Sequence, residues 1–254
     1  MVAARASRRE RLRAAMLVEA KDAARRQLVA GGPGAISLRA IARDVGISAS
    51  ALYAYYPSLD ALVADLVTDL FGELGEVIER ARDTVASDDQ LGRLASMARM
   101  LRQWAIAHPQ ESVLVFGNPD SEFGFSISDD VEPTLSATLR FGTIFLDVFI
   151  ALWKRGEPPF VPSRRLHPGF AASLASPLAT MTAGLPAEVA YLLMSGWTQI
   201  FGLISMEVHG QLQWAVTDPE PLFETALADL LSTMVPAGDA SPAPGGPAEG
   251  GKNA

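Results

Sequence analysis

The residue types that carry covalent chemistry are missing or scattered in this chain of 254 residues. Cysteine is absent, which excludes a disulfide framework, a thiolate zinc site and a catalytic thiol. The three histidines, His108, His167 and His209, stand alone, without a second ligand at metal spacing. There is no Gly-x-Ser-x-Gly elbow and no Ser-x-x-Lys. Gly32-Pro33-Gly34 fails the dinucleotide fingerprint, because the sixth position is Ser37 and no strand precedes it. Gly246 to Lys252 has the start of a phosphate-binding loop, but Asn253 stands where Ser or Thr would hold the metal. The sequence therefore implies neither an enzyme nor a cofactor. What it offers is arginine, eighteen against three lysines. Arg5, Arg8, Arg9, Arg11 and Arg13 crowd the N-terminus, and guanidinium groups suit phosphate.

A net charge of −8 argues on its face against nucleic acid, whose binders carry a basic footprint. The average conceals a division. Residues 1–60 hold ten Lys/Arg against five Asp/Glu, and residues 61–254 hold eleven against twenty-four. Such asymmetry points to two jobs in one chain.

The elements that must position these groups are helical; no alternating strand and no fixed-period repeat is evident. A first helix is predicted from about Arg9 to Ala30, with Leu12, Met16, Ala20, Ala23 and Leu28 on its apolar face. Gly31-Gly32-Pro33-Gly34 ends it. Ser37 suits the N-cap of a short helix, Leu38 to Val45, and Ser48 that of a second, Ala49 to Tyr55. Gly46 between them takes a backbone conformation costly for other residues. Tyr56-Pro57 breaks the second helix, and Ser58 caps a long one over about 58–86, roughly 40 Å at the usual rise. Further helices are predicted near 89–107, 131–155, 186–210 and 219–234, with shorter pieces near 110–116 and 168–183. Three units follow: a head over 1–60, a body over 61–235, and a Pro/Gly/Ala/Ser tail over 236–254 expected to be disordered. Val189 to Met206 is uncharged, close to the length of a membrane span. Its Ser, Gly, Thr and Gln content and the lack of flanking Lys or Arg favour a helix buried against protein. With no apolar stretch after the N-terminal arginines, a cytoplasmic protein without a membrane partner is expected.

Two short helices joined through Gly46 make a helix-turn-helix, whose second helix enters the major groove of DNA. The run Ala35-Ile36-Ser37-Leu38-Arg39-Ala40-Ile41-Ala42-Arg43-Asp44-Val45-Gly46-Ile47-Ser48, followed by Leu52-Tyr53, Tyr55-Tyr56-Pro57-Ser58 and Leu62, resembles the N-terminal signature of the TetR family over about residues 8–65. The resemblance implies an all-α homodimer with a DNA-reading head and a ligand-binding body. It places Ser37 and Arg39 at backbone phosphates, Ser48, Ala49, Ser50 and Ala51 at the groove-facing start of the recognition helix, and Tyr53 and Tyr55 at phosphate or base edges. Tyr56 takes the place of the family's usual core Phe. Ala49, Ala51 and Leu59 replace the Lys, Thr and Lys common in the family, so phosphate contacts are lost. Arg5, Arg8 and Arg9, with Arg11 and Arg13, are expected to compensate as an arm. Other roles stay open, with Tyr53 as plain core and Ser48 as no more than a cap.

Large apolar side chains recur at helical spacing in the body: Met100 and Trp104, then Phe141, Phe145 and Phe149. Such stripes are usually core. His108-Pro109 with Phe116-Gly117, and Trp197 with Phe201-Gly202, resemble the WHG-type C-terminal domain of the same family. Phe201 stands where its Trp-x-x-x-His-Gly pattern has histidine. By that resemblance Met100, Trp104, Phe116, Phe141, Phe145, Phe149, Trp197 and Phe201 line a cavity for an apolar small-molecule effector. Helices 186–210 and 219–234 would pair with their copies, Gly196, Gly202 and Ser205 allowing close approach. The function expected is a dimeric regulator, a repressor, on a palindromic double-stranded DNA operator. The alternative is a helical small-molecule or partner-binding protein whose DNA-binding head has weakened.

Overall fold

The computed structural model describes residues 7–116, 132–154, 166–174, 182 and 185–234. Arg5 and the stretches 117–131 and 236–254 lie outside the described residues. Helix α1 (Arg8–Gly31) opens on a capping box: Glu10 N–H donates to the Ser7 hydroxyl, and Ser7 N–H to the Glu10 carboxylate at 2.6 Å. Ala20, Ala23, Ala24 and Leu28 are fully buried, whereas Leu12 is 62% exposed. The apolar face thus stops near Met16, and the first two turns project free of the body. The N-terminal arginines expected as an arm are in part a helix, with Arg8, Arg11 and Arg13 exposed on it.

Past Gly32 and a single 3-10 turn (Pro33–Ala35) come α2 (Leu38–Val45) and α3 (Ala49–Tyr53). The turn between them depends on Gly46, at φ 79° and ψ 26°. A Cβ there would meet nothing within 4 Å, so backbone conformation and not space requires glycine. Leu38, Ile41, Ala42 and Leu52 form the buried centre of this pair; Val45 and Ile47 are only half-buried at its edge. α3 ends two residues before the expected Tyr55, because Tyr55 and Tyr56 N–H both turn back to the Leu52 carbonyl.

Helix α4 (Leu59–Asp83) starts where the Ser58 hydroxyl accepts from Ala61 N–H. It buries Leu62, Leu66, Leu70, Leu74 and Ile78 on one line. The body follows with α5 (Gln90–Ala107), α6 (Pro109–Phe116), α7 (Glu132–Lys154), α8 (Ala187–Val208) and α9 (Glu220–Ser232). Helix α4 packs on α5 and α7, α8 on α5 and α9, and α6 touches both α1 and α4. One apolar cluster runs from Ala20 in α1 to Leu227 in α9, so head and body share a core. Among the described residues there is no strand.

α8 is long and apolar enough to cross a membrane by length and composition alone, and a third of its most apolar window is buried. Val189, Leu192, Gly196, Ile200 and Ile204 face inward. Met194, Thr198, Gln199, Met206 and His209 face out. Gly196, expected to admit a partner chain, instead packs within the protomer: a Cβ there would lie 3.2 Å from Leu230 of α9. At Gly202 such an atom would meet nothing within 4 Å.

Candidate nucleic-acid interface and body cavity

At the head, Gln27 of α1 sets the position of α2 from both ends. Its side-chain oxygen accepts from Ser37 N–H at 3.0 Å and its amide donates to Asp44 at 3.2 Å. Ser37 is the residue before α2, but its hydroxyl makes no capping bond; its own backbone N–H is what Gln27 holds. Arg39 is exposed one residue into the helix. Ser48 does cap α3: its hydroxyl accepts from Ala51 N–H at 3.2 Å and lies 3.0 Å from the Ser50 hydroxyl. Ser48, Ser50 and Tyr53 are exposed, Tyr53 by 46%. Ala49, Ala51 and Tyr55 are half-buried, and Ala49 and Tyr55 pack against the core. The Arg13 guanidinium stands 5.6 Å over the Tyr55 ring, so the projecting start of α1 is tied beside α3 by a cation–π contact. The exposed Arg39, Ser48, Ser50 and Tyr53 therefore stand on or beside α2 and α3, with the arginine-bearing end of α1 held next to them.

Behind this surface lies a joint of ion pairs. Lys21 pairs with Asp65 at 3.4 Å and with Asp69, both on α4. Burial works against the Lys21 ammonium, but the two carboxylates outweigh it and hold its pKa above the ordinary lysine value. Tyr56 is buried and its hydroxyl donates to Asp65 at 2.6 Å. Burial first, then that bond and the Asp65 and Asp69 charges, push the phenol well above the usual tyrosine range. Arg25 donates to both Glu73 oxygens at 2.9 Å and to the buried Glu111 of α6 at 3.4 Å.

The body holds an apolar cavity of about 80 Å³. Leu94, Ala98 and Leu101 of α5 form one wall and Phe145 and Phe149 of α7 another. Leu192, Leu193, Gly196, Trp197 and Ile200 of α8 face Leu227, Leu230 and Leu231 of α9, with Met234 just beyond it. Of the eight residues expected to line a cavity, Phe145, Phe149 and Trp197 do so. Phe116, Phe141 and Phe201 instead fill an aromatic cluster beside it, with Phe71 of α4 as a member the sequence did not single out. Phe201 stacks parallel on Trp197 with centroids 5.5 Å apart, so the residue in the usual histidine position serves ring packing. Trp104 is buried and stacks on His108 at 5.1 Å, and Met100 packs half-buried against the main core. Leu94 and Ala98 went unmarked because they read as ordinary core at helical spacing.

Residues 94–230 match the tetracyclin repressor-like C-terminal domain, and residues 21–66 the tetR family of bacterial regulatory proteins. The chain belongs to the TetR family. HTH-type transcriptional regulators of Mycobacterium bovis and Mycobacterium tuberculosis are 30% identical to it over 222 residues, 85% of this chain and 92% of theirs. A solved structure of the regulatory protein SCO4313 aligns at a TM-score of 0.66 and 28% identity, over 89% of this chain and all of that one. Thermus thermophilus FadR, a TetR-family transcriptional repressor solved with lauroyl-CoA, aligns at 0.51 and 17% identity over 91% of this chain and all of its own. This TetR-family chain is accordingly a DNA-binding transcriptional regulator, with α2, Gly46 and α3 as its helix-turn-helix.

Proposed function

We propose that the protein is a dimeric, cytoplasmic repressor that holds a palindromic operator through α3 and the start of α1, and releases it when an apolar effector enters the body. The observation that carries the reading is the head itself. Ser48, Ser50 and Tyr53 stand exposed at α3, Arg39 on α2, and Arg8, Arg11 and Arg13 on the projecting turns of α1. Serine hydroxyls and alanine methyls give few bidentate base contacts, so phosphate binding by the arginines carries much of the affinity. The apolar cavity supports effector binding, as does the lauroyl-CoA bound by Thermus thermophilus FadR. The outward face of α8, with Gly202 open to an incoming chain, supports two-fold pairing. Units of 1–60, 61–235 and 236–254 suit this division of labour, although the head's core continues into α4.

Operator titration across salt concentrations tests the reading on DNA from the protein's own promoter. Deleting residues 1–9 should weaken binding strongly and lower the slope of log affinity against log salt by roughly 0.9 for each phosphate contact removed. An unchanged slope would remove the arginines from the interface. A folded dimer that fails to bind even at low salt would favour a helical ligand- or partner-binding protein with a weakened head.

A further inference from the structure

The body cavity has an unusual chemical uniformity. Among the described side chains that line it, the Trp197 indole is the single hydrogen-bonding N–H or O–H group, and none is charged. On its wall helices, the described cations Arg140 and Lys154 of α7 are exposed and do not line the cavity, and those on α5 are paired elsewhere. Of the arginines on α5, Arg99 pairs with Glu224 at 2.7 Å, and Arg102 with Glu207 at 2.7 Å and Glu220 at 3.6 Å. Arg93 reaches the Val85 carbonyl and Asp83. Helices α8 and α9 contain no Lys or Arg at all. An anionic head group buried here would have no partner, and an unpaired buried charge is the most costly of polar burials.

We propose that this cavity takes an uncharged, hydrocarbon-like ligand about the size of a single ring, and rejects the corresponding carboxylic acid. The inference rests on the proposed role of the body as an effector receptor and narrows the class of effector. The volume, about 80 Å³, encloses a short branched alkyl group as it stands, and takes one ring when the flexible wall side chains give way, since a cavity of roughly 150 Å³ holds benzene. Trp197 and Phe145 supply an aromatic wall, and Met234 and Leu230 a flexible aliphatic one. Occupancy reaches α6 through the Trp197–Phe116 and Phe116–Phe201 contacts at 6.4 Å and 5.0 Å, and α6 carries Glu111, which binds Arg25 of the head.

Toluene and benzoate differ by the charge in question and share the ring. Thermal shift and tryptophan fluorescence on the full-length protein at pH 8 should show toluene binding, with benzoate weaker by roughly a hundredfold or more. Ala98→Leu and Leu193→Phe fill the cavity from two different walls. Each should abolish the toluene response, and the melting transition without ligand reports whether either variant still folds. Benzoate binding as tightly as toluene would overturn the proposal. So would a toluene response that survives both variants, or no toluene binding by the folded native protein, which would leave the space as a packing gap or the seat of another segment of the chain. Operator release is read separately. Toluene that binds the cavity without releasing operator upholds the ligand class while refuting the effector role.

Discussion

Arg25 is the residue on which the joint between head and body should depend most asymmetrically. It lies on α1, its side chain 30% exposed, between Glu73 on α4, 51% exposed, and Glu111 on α6, 6% exposed. Replacing Arg25 by Met strands the Glu111 carboxylate in the interior. Breaking a buried pair from one side costs about 3–5 kcal/mol. Glu111 sits in the first turn of α6, where the helix dipole returns about 0.3–1 kcal/mol. The expected loss is therefore about 2–4 kcal/mol, well above the 1 kcal/mol or less typical of an exposed pair.

Glu111→Gln removes the charge and leaves Arg25 bound to Glu73, so it should cost about 1 kcal/mol or less. The double variant should then be more stable than Arg25→Met alone, because no unpaired carboxylate is left inside. Urea unfolding at one fixed protein concentration measures all four species, which keeps any dimer contribution equal. If the two single variants cost the same, or if Glu111→Gln fails to relieve Arg25→Met, the joint is not held by a buried charge and the reasoning fails.

Gly46→Ala should cost about 1–2 kcal/mol through the left-handed backbone alone, with Gly46→Asn milder; a thermal melt showing no loss for alanine would mean that the turn relaxes. Tyr56 remains neutral when folded at pH values where the unfolded phenol, with an ordinary pKa of 10.0, has ionised. Its stabilisation is thus complete below about pH 10 and declines as pH rises further. Tyr56→Phe should flatten that alkaline decline in unfolding free energy, and parallel profiles would contradict the Asp65 bond. Gly202→Phe should dissociate the proposed dimer in sedimentation while Gly202→Ala leaves the fold intact; an unchanged dimer in the phenylalanine variant would move the seam off this face of α8.

The helix-turn-helix was legible in the sequence because its signals are local. Ser48 caps within three residues, Gly46 turns the chain by itself, and Ile41, Ala42 and Leu52 meet across one short turn. The capping box at Ser7 and Glu10 is equally local and marks a helix start within the segment expected to be an arm. The cavity is a different kind of object. It is made where four helices fail to fill space, and no one-dimensional pattern distinguishes Ala98 beside a gap from Ala105 in the packed core. Size drew attention to phenylalanines and tryptophans, and the largest rings mostly went to fill the interior. The Arg25 joint was illegible for a plainer reason: its partners lie 48 and 86 positions away.

That joint also changes the meaning of the charge division. Of the acidic residues on α4, Asp65, Asp69 and Glu73 are taken up by Lys21, Arg25 and Tyr56 of the head. Two of the ten cations in residues 1–60 are thus spent inside the molecule and give nothing to DNA. Those left outward include Arg8, Arg11, Arg13, Arg39 and Arg43, all exposed toward the end that carries α3 or on α2 beside it. Ion pairing within the fold therefore sorts the cations by depth: inner ones join the head to the body, and outer ones are the set proposed to meet phosphate. The two sets respond differently to salt. Exposed contacts to phosphate weaken steeply as counterions compete, whereas partly buried pairs are screened much less. On the proposed reading, ionic strength then loosens the protein from DNA while the head keeps its orientation on the body, so release by salt and the proposed release by a ligand act on separate sets of charges.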